Sequence, residues 1–172
     1  MEAGAESLLR ELTPQVLGAV VRRFGDFAAA EESGQAHVLG RAHLSRSRAR
    51  EALTQFASAL GDIDEALRLA READDQRLEM TALRALGGDV PVGLHHPITE
   101  MTVHLGEGLH LAAALGDRGA ECDFSARLAV TAASRLRLSA ALAHGRRALA
   151  TGRAANDEAV LAVGLDGLKT AL

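Results

Sequence analysis

Three stretches of the 172-residue chain rhyme: "LRLAREADDQRLEMTALRAL" from Leu67, "LHLAAALGDRGAECDFSARL" from Leu109 and "RALATGRAANDEAVLAVGLDGL" from Arg147. Each closes one helical pattern, turns at a polar Asp and opens another. The shared aspartates, Asp75, Asp117 and Asp157, stand 42 and then 40 residues apart. A period near 40 is the size of a helix pair, and a unit of that size buries its apolar face by stacking on its neighbours. Asp suits such a turn because its carboxylate accepts bonds from the free N–H groups of the next helix's first turn.

Composition agrees with helices. Hydrophobic residues make up 48% of the chain, Trp and Tyr are absent and there are four Phe, so the apolar content is largely Ala and Leu. Ala and straight-chain residues lose little freedom in a helix, whereas aromatic and β-branched residues suit pleated sheets. The apolar periodicity predicts helices over 35–47, 48–73, 76–86, 97–114, 118–134, 138–153 and 157–172. Gly61-Asp62 is a candidate break in the second. Leu53, Phe56, Leu60, Ile63, Leu67 and Ala70 stay in phase through it, which favours one long helix. Small residues recur nine positions before each turn Asp, at Ala66, Gly108 and Ala148, where neighbouring helices must approach closely.

On these turns and small residues, 35–172 resembles tetratricopeptide-type repeats, in the longer form found in sensor arrays of large bacterial regulators. The aromatic positions of that repeat are mostly aliphatic here. The resemblance implies an all-α fold, an α-solenoid of antiparallel helix hairpins with an N-terminal capping helix. It also implies a non-enzymatic role, binding a protein or peptide in a concave groove within transcriptional regulation or signalling. The groove would be lined by the first helix of each pair, so periodicity selects Arg77, Met80 and Arg84, then Glu121, Ser125 and Leu128. Burial of an apolar segment there contributes at roughly 25 cal/mol per Å² before entropic costs. The last stretch, "DEAVLAVGLDGLKTAL", is half a pair; its apolar face lacks a partner within the chain, which implies a fragment of a larger regulator or a homo-oligomer contact.

Residues 1–32 form a separate segment. "LLRELTPQVLGAVVRRFGDFAAAE", 8–31, is similar to the first helix and turn of region 2 in extracytoplasmic-function sigma factors, which lead into the helix that binds core RNA polymerase. That resemblance implies a sigma-related protein acting in transcription initiation, as the alternative to the array reading. The continuation "ESGQAHVLGRAHLSRSRAR" has no Trp or Tyr on which an unstacked base could be captured. Packing alone also accounts for the segment. Leu8, Leu12, Val16, Val20 and Phe24 make a wide apolar face, and Pro14 fits the first turn of a helix beginning near Thr13.

Charge and cysteine exclude several classes. The formal net charge of −4 gives no overall attraction to nucleic acid or anionic lipid. One cysteine, Cys122, permits neither an internal disulfide nor a thiolate-rich zinc site in one chain. No signal-peptide layout or membrane-length apolar run is present, and a cytoplasmic location is expected. Arginine greatly outnumbers lysine, a bias that points to a GC-rich bacterial genome.

Three features invite chemistry. "GGDVPVGLHHPITEMTVH", 87–104, reads as an extended loop where a short turn was due. It either tucks over the groove or caps the helix at Pro97, or it folds back so that His95 joins His96 and Glu100. His96 and His104, eight apart in a helix, lie ~12 Å apart, too far to share one ion. "RAHLSRSRAR", 41–50, holds four arginines. They either clamp phosphate or form a solvated face paired with Glu51 and the acids between Asp62 and Asp75. Cys122 beside Phe124 reads as a packed thiol rather than a nucleophile. Phosphate-loop, zinc-protease, nucleophile-elbow and dinucleotide motifs are missing. No catalytic residue, cofactor or metal site is assigned.

Overall fold

A computed structural model describes residues 36–88, 97–170 and 172 of the chain. The sigma-like segment 8–31, His95 and His96 lie outside the described residues. All described regular structure is helical: α1 (Ala36–Ala52), α2 (Phe56–Glu72), α3 (Gln76–Leu86), α4 (Ile98–Leu115), α5 (Arg118–Ser134), α6 (Leu138–Ala155) and α7 (Glu158–Thr170). The chain divides into two compact units, with the boundary after Asp75.

Five of the seven described helices end alike. Thr54, Asp74, Gly116, Leu136 and Asn156 take the left-handed conformation, with φ of 57°, 50°, 68°, 55° and 52°. The residue after four of them donates its N–H five residues back: Gln55 to Arg50 O at 2.8 Å, Asp75 to Ala70 O at 2.9 Å, Asp117 to Ala112 O at 3.0 Å and Arg137 to Ala132 O at 2.9 Å. This bond satisfies a terminal carbonyl and turns the chain in two residues. Asp117 then accepts the N–H of Ala120 at 3.0 Å, and Asp157 those of Ala159 and Val160 at 2.8 and 3.3 Å. Both act as the N-terminal caps their recurrence suggested.

One expectation is corrected. The boundary predicted between 47 and 48 is absent: the first helix runs on to Ala52, and the break falls inside the stretch 48–73, at Leu53–Gln55. Thr54 makes the left-handed corner without a glycine or proline to announce it. Leu53, counted at the head of the apolar stripe, therefore sits in the corner and is 57% exposed. Gly61 does not interrupt α2, as the unbroken phase beyond it required.

In the first unit α1 packs on α2. In the second, α3 packs on α4, α4 on α5, α5 on α6, and α6 on α7; α5 also packs on α7. The buried faces of α2, α4 and α6 agree position by position when counted back from Asp75, Asp117 and Asp157. Ala59, Met101 and Ala141 match, then Ile63, Leu105 and Gly145, then Ala66, Gly108 and Ala148, then Ala70, Ala112 and Gly152, and all twelve are buried. Spacings of four, three and four residues are one stripe of a helix.

Small size at that stripe is a packing requirement. A methyl group on Gly108 would enter the ring of Phe124, which is itself fully buried. A methyl group on Gly164 of α7 would lie 2.6 Å from the Ala148 carbonyl oxygen of α6. Cys122 is fully buried, its Sγ 3.2 Å from Ala148 O and 3.3 Å from Val160 O. Burial pushes its thiol pKa up, so it joins α5 to α6 and α7 as a protonated packing group. No described helix is long and apolar enough to cross a membrane.

Candidate functional site

Helix α5 is covered by α4, α6 and α7. It keeps one stripe towards water, Ala120, Asp123, Arg127, Val130 and Ser134, at spacings of three, four, three and four; Val130 and Ser134 are exposed and the others half-buried. Asp123 is the junction with α3. Its Oδ2 accepts the Nε of Arg127 at 2.9 Å and the Nε of Arg84 at 2.9 Å, while Arg84 Nη2 donates to Oδ1 at 3.2 Å. Two guanidinium groups on one carboxylate leave a positive surplus at the surface. Met80 lies one turn before Arg84 and is half-buried, and Arg77 is exposed. The α3–α5 face thus offers cationic planes beside the apolar side chains of Met80 and Val130, a combination that suits contact with an acidic, partly apolar protein segment.

The six residues selected by periodicity divide by helix. Arg77, Met80 and Arg84 lie on the accessible side of α3, and Arg84 reaches α5. Glu121, Ser125 and Leu128 are 5%, 0% and 4% exposed, inside the packed side of α5. Glu121 is a strut: Oε2 accepts Arg118 Nη1 at 2.8 Å and Oε1 accepts Arg147 Nη2 at 2.9 Å, tying α5 to α6. Ser125 Oγ is buried with no hydrogen-bond partner among the described residues. Asp123, Arg127 and Val130 escaped the sequence reading, although their spacing with Ala120 and Ser134 marks a stripe free of large aliphatic residues except Val130.

The first unit holds a second cluster, around Asp62 of α2. Its side chain is 3% exposed. Arg46 donates from Nη2 to Oδ1 at 2.6 Å and from Nε to Oδ2 at 3.0 Å; Arg50 donates from Nη1 to Oδ2 at 2.7 Å and to Ser58 O at 3.1 Å; His43 Nδ1 lies 3.0 Å from Oδ1. Burial alone would raise the Asp62 pKa. The hydrogen bonds from Arg46 and His43, with the charges of Arg46 and Arg50, outweigh it and hold the carboxyl below its usual value. Half of the arginine-rich segment 41–50 is therefore turned inward, and only Arg41 and Arg48 are exposed. His37 Nδ1 pairs in the same unit with Asp75, joining the start of α1 to the corner after α2.

No three His, Cys, Asp or Glu side chains among the described residues are grouped to hold a metal ion. His104 of α4 is half-buried and Glu100 exposed. No protein-family model matches the chain, and no curated protein matches it in sequence.

Proposed function

We propose that the chain is a non-enzymatic helical-repeat module, an α-solenoid of tetratricopeptide-like hairpins, that holds a protein segment on its α3–α5 face. The observation that carries this reading is the single open stripe of α5, joined to α3 through Arg84, Asp123 and Arg127. Two further observations support the solenoid. The buried faces of α2, α4 and α6 recur in register with the turn aspartates. Helix α5 also packs on α7, two helices on, whereas α4 and α6 have no comparable packing. Helices α5 and α7 therefore lie side by side in one layer of the second unit. The resemblance to sensor arrays supports a setting in a bacterial transcription or signalling protein.

Selection from a displayed random-peptide library on the immobilised full chain tests the function. The expected outcome is enrichment of acidic peptides with apolar side chains. Their affinity should fall by at least about tenfold when Arg84 and Arg127 are both replaced by Glu, and should be indifferent to Arg41→Glu. Failure to enrich any peptide, or enrichment indifferent to Arg84 and Arg127, would reject the reading.

A further inference from the structure

Between Asp123 and Asp157 the chain has six arginines and no acidic residue. Arg127 and Arg147 pair with Asp123 and Glu121. Arg146 and Arg153, on the outer side of α6, are exposed and make no ion pair among the described residues. The outer stripe of α6 is Ser139, Ala143, Arg146, Ala150 and Arg153, all exposed, at spacings of four, three, four and three. Helix α4 carries a stripe of opposite charge: Glu100, Val103, Glu107, His110 and Ala114, all exposed, at spacings of three, four, three and four.

Each stripe reads as the other reversed. When the two helices are laid antiparallel, Glu100 faces Arg153, Val103 faces Ala150, Glu107 faces Arg146, His110 faces Ala143 and Ala114 faces Ser139. Both carboxylates meet a guanidinium, and every other position pairs at least one small residue, so the axes can approach to about 8 Å. Seven residues separate the two charges on each helix, two turns and ~10.5 Å, so both pairs form on one face. Val103, 57% exposed, would be covered by the partner's Ala150. Glu100 and Glu107 also interact within their own chain, so a partner's arginine shares them.

We propose that this face binds a second copy of the chain, α4 of each copy lying antiparallel on α6 of the other. One copy carries both stripes, so a twofold axis forms the contact twice and closes the dimer. This interface differs from the C-terminal contact expected from sequence, because α7 takes no part in it. It also stands apart from the α3–α5 face, and neither proposal depends on the other.

Sedimentation equilibrium of the full chain up to about 100 µM tests it. The wild type is expected to dimerise, and more weakly at about 0.5 M than at about 0.05 M salt. Arg146→Glu with Arg153→Glu, and separately Glu100→Arg with Glu107→Arg, should each weaken the dimer by at least about tenfold through like-charge contact. Mixing the two reversed variants should restore a one-to-one dimer, since both contacts of the mixed pair are again complementary. Unchanged far-UV circular dichroism establishes that each variant is folded, and Arg146→Gln with Arg153→Gln gives a milder pair for any that is not. A wild-type monomer at the highest concentration, a dimer insensitive to both reversals, or variants that fail to pair on mixing would each overturn the proposal.

Discussion

Two residues carry costs that packing does not recover. Ser125 buries its hydroxyl completely without a partner among the described residues. A buried unsatisfied polar atom costs about 1–3 kcal/mol, so Ser125→Ala should leave stability unchanged or raise it by about 1 kcal/mol in urea unfolding. A loss above about 1 kcal/mol would mean that the hydroxyl has a partner. Leu136 holds the left-handed conformation with its side chain 84% exposed, where the other corners use Thr, Asp, Gly and Asn. Left-handed backbone costs a residue with a Cβ roughly 1 kcal/mol, and Leu136→Gly should recover about that amount in the same experiment.

Asp62 and His144 set the response to acid. Asp62 has its pKa lowered on folding, and His144 has its pKa lowered by burial and by the charge of Arg147. For both, the unfolded chain binds protons more readily, so each contributes stability that is present above its unfolded pKa and is lost as pH falls through its folded value. Stability should therefore decline from about pH 6.5 as His144 is forced to protonate, and again below about pH 4 as Asp62 does. Chemical unfolding across that range, repeated with Asp62→Asn, checks the assignment: the substitution should shrink the lower step, to which Glu65, its carboxyl held low by the hydrogen bond from Arg68, also contributes, and leave the upper one. At neutral pH, Asp62→Ala should cost about 3 kcal/mol because it removes the buried carboxylate that Arg46 and Arg50 share.

At the scale of the element, close helix approach is the constraint. Gly164→Ala pushes a methyl group into the Ala148 carbonyl, which belongs to backbone and cannot swing aside. A loss of about 1–3 kcal/mol is expected, while Gly61→Ala, whose methyl group would meet nothing within 4 Å, should stabilise α2 slightly. Helix boundaries from α3 onward were legible in the sequence because Asp117 and Asp157 cap helices and the apolar stripes are in phase. The break between α1 and α2 was not. Thr54 performs there the task that Gly116 performs before α5, and a left-handed Thr leaves no compositional mark. The open side of α5 was equally hidden. A helix packed against three others has apolar or small residues on most of its circumference, so periodicity alone did not separate the stripe of Asp123 and Arg127 from that of Glu121 and Ser125.

At the scale of the molecule, charge is distributed unevenly. Residues 1–123 carry twelve arginines against twenty acids, while 124–156 carry six arginines and none. A net charge of −4 conceals this, and it is why bulk composition argued against anionic partners while the α6 surface is strongly basic. In the proposed function, recurring helix pairs present the α3–α5 face to a protein segment. Titrating an isotope-labelled chain with a library-selected peptide and following backbone amide shifts tests this most directly. Perturbations are expected to cluster at Met80, Arg84, Asp123, Arg127 and Val130, with Arg41, Arg48, Arg146 and Arg153 unmoved. Perturbations centred on either of those arginine pairs, with the α3–α5 face silent, would contradict it.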